Sequence, residues 1–142
     1  MADSLTLEVV TPDRQVVRET VSEVQVPARN GFLGVLPGHT PLLTELGIGA
    51  LSYKKGAETR YVAVIGGFAE VLGDRVIVLA EAAERPEEID VVRAQTALAS
   101  AEKLISAGAA HPNTDWEAVQ QTIQRAQVRL AVAGGAVATV HS

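Results

Sequence analysis

Residues 31–47 read GFLGVLPGHTPLLTELG, and this stretch decides how the chain must fold. Its glycines admit backbone angles that other residues resist, while Pro37 and Pro41 fix φ on either side of a Gly-His-Thr turn. Valine, leucine and phenylalanine fill most of the remaining positions. Such a segment is typical of a sharp corner between β-strands.

On both sides of this corner, from Leu5 to Leu79, the chain has the patterns of β-strands. Leu5, Leu7 and Val9 alternate with other residues, as in a half-buried strand. Two hairpins are predicted further on, because apolar segments 48–53 and 60–65 flank residues 54–58, and segments 68–72 and 76–79 flank a Gly-Asp turn. Many short strands at close spacing predict an N-terminal antiparallel β-sandwich.

From Glu81 onward the composition changes, and apolar residues recur every three or four positions. Pro86 has the place of a first helical residue, and this helix is expected to reach about Ala107 and stop at Gly108. After a loop over 109–113, Thr114 and Glu117 have the spacing of a capping box for a second helix, which Gly134-Gly135 ends. The fold class is therefore β + α: a sandwich over residues 1–84, followed by an antiparallel two-helix hairpin over 85–142.

Each predicted helix carries one apolar stripe. The first consists of Val91, Ala94, Leu98, Ala101 and Ile105, and the second of Trp116, Val119, Ile123, Ala126, Leu130 and Ala133. A buried leucine or isoleucine contributes roughly 1.5–3 kcal/mol and an alanine much less, so the first stripe has few large anchors. The pattern is compatible with a hairpin that detaches and with one that stays docked.

Composition excludes several classes of protein. A net charge of −5 disfavours a nucleic-acid binder that neutralises phosphates. No apolar run approaches the roughly 18 residues of a membrane span, and no secretory signal is evident at the N-terminus. The chain has no cysteine, and its three histidines (His39, His111, His141) lack metal-ligand spacing, so neither a disulfide framework nor a metal site is expected.

One charged constellation has a candidate function. Asp90 and Arg93 lie three residues apart on the first helix, and Arg125 and Arg129 lie four apart on the second. Antiparallel packing would bring these groups together near Glu84. Three guanidinium groups around small residues can bind a phosphate chain, although a solvated face of ion pairs would have the same spacing. No Walker-type glycine loop is present, so a nucleotide bound here is not expected to be hydrolysed.

The motifs together resemble one family. The run Gly34-Val35-Leu36-Pro37-Gly38-His39-Thr40-Pro41-Leu42-Leu43 is similar to the hallmark of the epsilon subunit of bacterial F-type ATP synthases. Val9-Val10-Thr11-Pro12 and Gly66-Gly67-Phe68 fall in the same order as in that family, and the similarity extends from about Leu5 to Leu130. The resemblance implies a non-catalytic subunit of the central stalk, peripheral on the cytoplasmic face of the membrane and in contact with the bilayer only through the complex.

The resemblance also implies partners and site residues. The sandwich would hold gamma and the c-ring through residues of the corner, and the hairpin would extend toward the alpha and beta catalytic subunits to inhibit ATP hydrolysis. The corner residues concerned are Phe32, Leu36, His39, Thr40, Pro41 and Leu42. ATP would be a regulatory ligand that needs no metal, bound by Glu84, Ile89, Asp90, Arg93, Ala94, Arg125 and Arg129.

Two other functions compete with this interpretation. The chain could be a free-standing β-sandwich and helix module that senses nucleotide alone, in which case it would bind ATP tightly and capture no gamma subunit. A small hydrolase with His39 as general base is disfavoured, because none of the serines has the flanking glycines of a nucleophile elbow. A turn histidine that donates to neighbouring backbone is the simpler interpretation of His39.

Overall fold

A computed structural model describes residues 4–107 and 113–135 of the chain. Seven strands come first: β1 (Leu5–Val10), β2 (Gln15–Val21), β3 (Glu23–Ala28), β4 (Gly31–Val35), β5 (Leu42–Lys55), β6 (Glu58–Leu72) and β7 (Arg75–Glu84). A short 3₁₀ turn, Pro86–Glu88, here called the linker turn, leads to helices α1 (Val91–Ser106) and α2 (Trp116–Gly134). The predicted order of a β-sandwich followed by two helices is confirmed.

The strands are hydrogen-bonded in the order β2-β1-β7-β6-β5-β3-β4, and the sheet encloses one core to which every strand contributes. All neighbouring pairs are antiparallel except β1 and β7, which run parallel. The predicted antiparallel sandwich therefore includes one parallel pair. The parallel register sets Leu7 beside Val76 and Val9 beside Val78, so that four fully buried side chains share the core face.

The corner segment is more extended than expected. Its two ends belong to β4 and β5, and the reversal itself occupies residues 36–41, where Gly38 has a φ of +85°. The amide of His39 donates to the carbonyl of Leu36 at 3.1 Å, which closes the turn.

A single long strand, β6, replaces the two strands predicted over 60–65 and 68–72. Sequence reasoning placed a break at Gly66 and Gly67, but the strand continues through them and keeps its pairing with β5 and β7. Gly67 has a φ of +115°, and a β-carbon there would lie 2.0 Å from the carbonyl oxygen of Leu79. Glycine thus lets the strand bend sharply against its neighbour without ending.

Both helix starts differ from the prediction. Pro86 begins the linker turn and not α1. The N-cap of α1 is Asp90, whose carboxylate accepts a hydrogen bond from the amide of Arg93 at 3.0 Å. The N-cap of α2 is Asp115 and not Thr114, because the Asp115 carboxylate accepts from the amide of Ala118 at 3.1 Å. The ends are close to those predicted: α1 stops at Ser106, and α2 is capped by left-handed Gly135. Gly108, most of the loop and His111 and His141 lie outside the described residues.

The hairpin rests on the sandwich mainly through α2. Val128 and Val132 are fully buried against Ala50, Ala63 and Ile65 of β5 and β6, a contact here called the α2 seat. The predicted stripes do not include either valine. Their buried members are Ala94 and Ala101 on α1, and Val119 and Ala126 on α2. Val91, Ile105 and Trp116, expected to be buried, are exposed, and each lies at an end of its helix.

Candidate functional site

A groove of about 290 Å³ opens where the two helices meet the last strand of the sandwich. Its walls come from the end of β7, the first two turns of α1 and the middle of α2. The lining residues are Glu84, Asp90, Arg93, Ala94, Ala97, Thr122, Arg125, Ala126 and Arg129. The structure thus gathers the predicted nucleotide residues in one place, with the exception of Ile89. That side chain is buried in the cluster beneath α2 and does not line the groove.

Charge in the groove is only partly neutralised. The Arg129 Nε donates to a Glu84 carboxylate oxygen at 2.5 Å, and both side chains are about one-third exposed. Asp90 uses a carboxylate oxygen to cap α1. Within residues 4–107 and 113–135, neither Arg93 nor Arg125 has an acidic oxygen within 4 Å of its guanidinium group. Two guanidinium groups are therefore available to an anionic ligand.

Small side chains make room between these charges. Alanine occupies positions 94, 97 and 126, so the helices approach closely while the groove stays open. The volume lies near the lower end of the range of roughly 300–1,000 Å³ typical of small-molecule sites. Arginine suits phosphate because its planar donors match two oxygens at once. The groove can therefore accept a phosphorylated ligand with its charge toward Arg93 and Arg125.

The corner presents a second candidate surface. Phe32, Leu36, Thr40 and Pro41 are exposed, whereas His39 and Leu42 are half-buried. The His39 Nδ1 donates to the carbonyl of Thr40 at 2.7 Å, as predicted for a turn histidine. Leu42 packs against the main core, and the neighbouring Leu43 is 68% exposed. Leu43 therefore offers more contact area than the predicted Leu42.

A larger apolar surface was missed by sequence reasoning. Leu43, Phe68, Leu72 and Leu79 are each more than half exposed on the outer side of β5, β6 and β7, and this surface is here called the apolar sheet face. Phe68 and Leu79 are directly opposite each other in the β6–β7 register. Exposed Glu70 lies between Phe68 and Leu72 on the same side, opposite Leu43, so this face is apolar with one acidic residue within it. Exposed apolar area of this kind marks interaction sites. The signal was present in the alternation of β6, but the sequence does not say which side of a strand another layer covers.

Other features of the described residues offer less. A crevice of about 710 Å³ includes Arg18, Arg60 and Arg85 in its lining. The second and third of these pair with glutamates, so the crevice has little unbalanced charge. Among the described side chains no three acidic or histidine groups are placed to hold a metal ion. Neither α1 nor α2 has the length and apolar composition to cross a bilayer.

Comparison with known families divides the chain in two. The family described as ATP synthase, Delta/Epsilon chain, beta-sandwich domain matches residues 4–86, and the corresponding long alpha-helix domain matches residues 87–134. The ATP synthase epsilon chain of Solibacter usitatus is 55% identical over 135 residues, which cover 94% of this chain and 98% of that protein. The chain belongs to the ATP synthase epsilon-subunit family. It is accordingly a non-catalytic subunit of the central stalk of a bacterial F-type enzyme, as the sequence motifs predicted.

Other relatives of this epsilon subunit agree. The epsilon chain of Koribacter versatilis is 58% identical over 103 residues, which cover 72% of each chain. Among solved structures, a chain of the Euglena gracilis mitochondrial ATP synthase (OSCP/F1/c-ring) superposes with a TM-score of 0.67 at 24% identity, over 94% of this chain and 79% of that one. A chain of the Tetrahymena thermophila central stalk and c-ring gives 0.51 at 14% identity, over 61% and 69%. At these identities the two structures support the fold.

Proposed function

We propose that this epsilon subunit couples the gamma subunit to the c-ring through its sandwich and restrains ATP hydrolysis through a mobile hairpin that senses ATP. The observation that carries the regulatory half is the groove. Its walls belong to β7, α1 and α2, and Arg93 and Arg125 face it without an acidic partner among the described residues. A phosphorylated ligand there would contact the sandwich and both helices at once. Its binding would therefore favour the docked hairpin.

The ligand acts by mass action. A molecule that binds the docked state and not the released state shifts the equilibrium only by its preference for the first. ATP suits the groove because its phosphates can meet Arg93, Arg125 and, in competition with Glu84, Arg129. The carboxylate of Asp90 can accept from a ribose or base. No metal is needed for this role, since the guanidinium groups supply the positive charge.

The hairpin can be released only if its contact with the sheet stabilises the docked state weakly, and the composition of the α2 seat fits a weak contact. Two valines are its large members on α2, and two of their partners on the sheet, Ala50 and Ala63, are alanines. Once α2 leaves the sheet, Arg125 and Arg129 are free to pair with acidic loops of the alpha and beta catalytic subunits. Such pairing would obstruct rotation in the hydrolysis direction, which is the inhibitory action we assign to the extended hairpin.

The sandwich supplies the attachment to the rotor. The exposed corner residues Phe32, Leu36, Thr40 and Pro41 would meet the c-ring loops and the foot of gamma, with His39 shaping the turn. The apolar sheet face would extend the contact with gamma, because Phe68 and Leu79 present adjoining apolar area. Through these partners the subunit would lie peripherally on the cytoplasmic face of the membrane, with no contact to nucleic acid.

Titration of the isolated chain with ATP tests the groove. Arg93→Ala and Arg125→Ala should each weaken binding about tenfold or more, since a hydrogen bond to a charged group contributes roughly 1.5–3 kcal/mol. Arg75→Ala is the matched control, because Arg75 pairs with Glu8 on the sheet and does not line the groove. Equal ATP affinity in all four proteins would remove the nucleotide from the proposal.

Truncation tests the hairpin in the assembled enzyme. A chain ending at Glu84 keeps all seven strands, and it should still capture the gamma subunit while the complex hydrolyses ATP without restraint. Equal inhibition with and without the hairpin would refute the regulatory half. Failure of the full chain to capture gamma would refute the coupling half and favour a free-standing nucleotide sensor.

A further inference from the structure

An ion pair outside the groove ties the linker turn to the sandwich. The Arg14 guanidinium contacts Glu88 through two nitrogens, at 2.7 Å and 3.0 Å, although the two residues are 74 positions apart in the chain. The second nitrogen also lies 3.5 Å from the carbonyl oxygen of Ala83 in β7. This two-point contact, here called the linker clamp, matches the geometry in which arginine binds a carboxylate most specifically.

The sandwich side of the clamp is held by a tight turn. Arg14 directly precedes β2, and the Thr11 hydroxyl oxygen accepts from the amides of Asp13 and Arg14, each at 3.3 Å. The amide of Thr11 donates to the carbonyl of Arg14 at 2.9 Å. These bonds fix the backbone from which the guanidinium group reaches the linker.

On the other side, Glu88 is bound by more than Arg14. Its carboxylate also accepts from the amide of Arg85 at 2.9 Å, which closes the linker turn on itself. The hydrogen bond from Arg14, and after it the contacts with Arg85, lower the pKa of Glu88 to about 2 against burial, which acts to raise it. The carboxylate is therefore charged at any physiological pH, and the clamp is permanently available.

The chain runs directly from the clamp into the wall of the groove. Ile89 follows Glu88 and is buried beneath α2, Asp90 caps α1, and Arg93 and Ala94 line the groove. The first turn of α1 therefore takes its position from the linker turn. The opposite wall, with Arg125 and Arg129, comes from α2. Among the described residues no hydrogen bond or ion pair joins that wall to the N-terminal turn, and its own polar tie to the sandwich is the Arg129–Glu84 pair.

We propose that Arg14 is a positioning residue for the groove and for the docked hairpin, acting through Glu88. It holds the linker turn, and with it the α1 wall, in the place where that wall and α2 together form the site. Loss of the clamp lets α1 move away from α2, so that nucleotide binding weakens and release of the hairpin becomes easier. The expected change in ATP affinity rests on the proposed function. The expected release of the hairpin does not, because release can be measured without any ligand.

A pair of spin labels measures release in the full chain. The sequence has no cysteine, so cysteines placed at the exposed positions Thr20 on β2 and Gln127 on α2 are labelled without background. Arg14→Gln and Glu88→Gln should each raise the long-distance population about two- to fivefold, the effect expected of a partly exposed ion pair. ATP affinity should fall in proportion to the loss of the docked, groove-forming fraction. The double variant should match Glu88→Gln, because Arg14 acts through that carboxylate.

Two further variants separate positioning from general stability. Arg75→Gln removes an equally charged, ion-paired arginine of the sheet and should leave label distance and ATP affinity unchanged. Compared with Arg14→Gln, Arg14→Lys should restore part of the short label distance and part of the ATP affinity, since lysine keeps the charge but lacks the two-point geometry. The thermal midpoint of the sandwich should be the same in Arg14→Gln and Arg75→Gln.

The outcomes distinguish the two proposals. If Arg14→Gln behaves as Arg75→Gln in the label measurement, the positioning role is overturned, whatever ATP does. If the wild-type chain and Arg93→Ala bind ATP equally, the nucleotide proposal fails, and the label populations alone then support or overturn the clamp. Additive effects in the double variant would also overturn it, because they would mean that Arg14 and Glu88 act separately.

Discussion

Val132→Ala tests how the hairpin is attached to the sandwich. Val132 is 1% exposed in the α2 seat, where it packs with Val128 against the sheet. Alanine keeps the helix and removes only two methyl groups. The change therefore acts on the contact between hairpin and sandwich and leaves the charges of the groove in place.

The magnitude follows from the buried area. Each buried methyl group contributes about 0.8 kcal/mol, so the loss is about 1.6 kcal/mol before any cost of the cavity left behind. The better helix propensity of alanine does not offset this, because α2 is helical in both the docked and the released hairpin. The released population should rise about 15-fold.

Spin labels at positions 20 and 127 report the released population, and ATP should reverse the increase. Val119→Ala is the matched control: Val119 is buried on the same helix but is not part of the α2 seat. It should leave the label distance nearly unchanged. If Val132→Ala lowers the overall unfolding midpoint while the label distance stays short, hairpin and sandwich unfold as one unit, and the idea of a weakly attached arm is wrong.

Three further predictions concern single sites. Gly67→Ala should lower the free energy of unfolding by more than about 2 kcal/mol, since its β-carbon would lie 2.0 Å from a carbonyl oxygen of β7. Gly73→Ala, which has open space around it, should lower the same free energy by about 1 kcal/mol. Chemical denaturation measures both values. The pKa of Glu88 is lowered from 4.5 to about 2, so the ionised carboxylate stabilises the folded chain fully above pH 4.5, and this contribution is lost as the pH falls toward 2. Glu88→Gln should abolish that part of the pH dependence of the free energy of unfolding. An acid profile that is the same in the variant would contradict the clamp geometry. Asp115→Ala should destabilise α2 by about 1 kcal/mol and Thr114→Ala by much less, as measured by amide exchange in the helix. A larger effect of Thr114→Ala would show that Thr114 is the N-cap, as the sequence predicted.

The groove could be predicted because it depends on local geometry. Residues three and four apart on a helix lie on one side, so Arg125 and Arg129 had to be neighbours, and a short connection had to set α2 beside α1. The turns between β5 and β6 and between β6 and β7 were predictable for the same reason, since a few adjacent residues encode them, whereas the break expected at Gly66 and Gly67 is absent. Ile89 was assigned to the groove by resemblance alone, and its apolar side chain is instead buried beneath α2.

Two of the features that the sequence did not predict depend on distant partners. The sequence of β1 does not specify that β7 will lie beside it in parallel, because that pairing is decided by the closure of the whole sheet. Val128 and Val132 lie off the stripe that faces α1, and only the presence of the sheet makes a second buried side of α2. Thr114 and Asp115 both have side chains that favour the N-cap position. Choosing between them requires the first residue of the helix to be placed to within one position, which the sequence pattern does not do.

The parallel pairing of β1 with β7 has a consequence for the order in which the newly made protein matures. Of the described strands, β1 is synthesised first. It has one neighbour nearby, β2, and its other edge is covered only once residues 75–84 have been made. Pairing across so many residues is slow compared with local hairpins. Throughout that interval the nascent polypeptide exposes an unpaired strand edge, which is the kind of surface that chaperones shield. Helix α2 follows β5 and β6 in the chain, so its seat on those strands has already been synthesised when the helix is made.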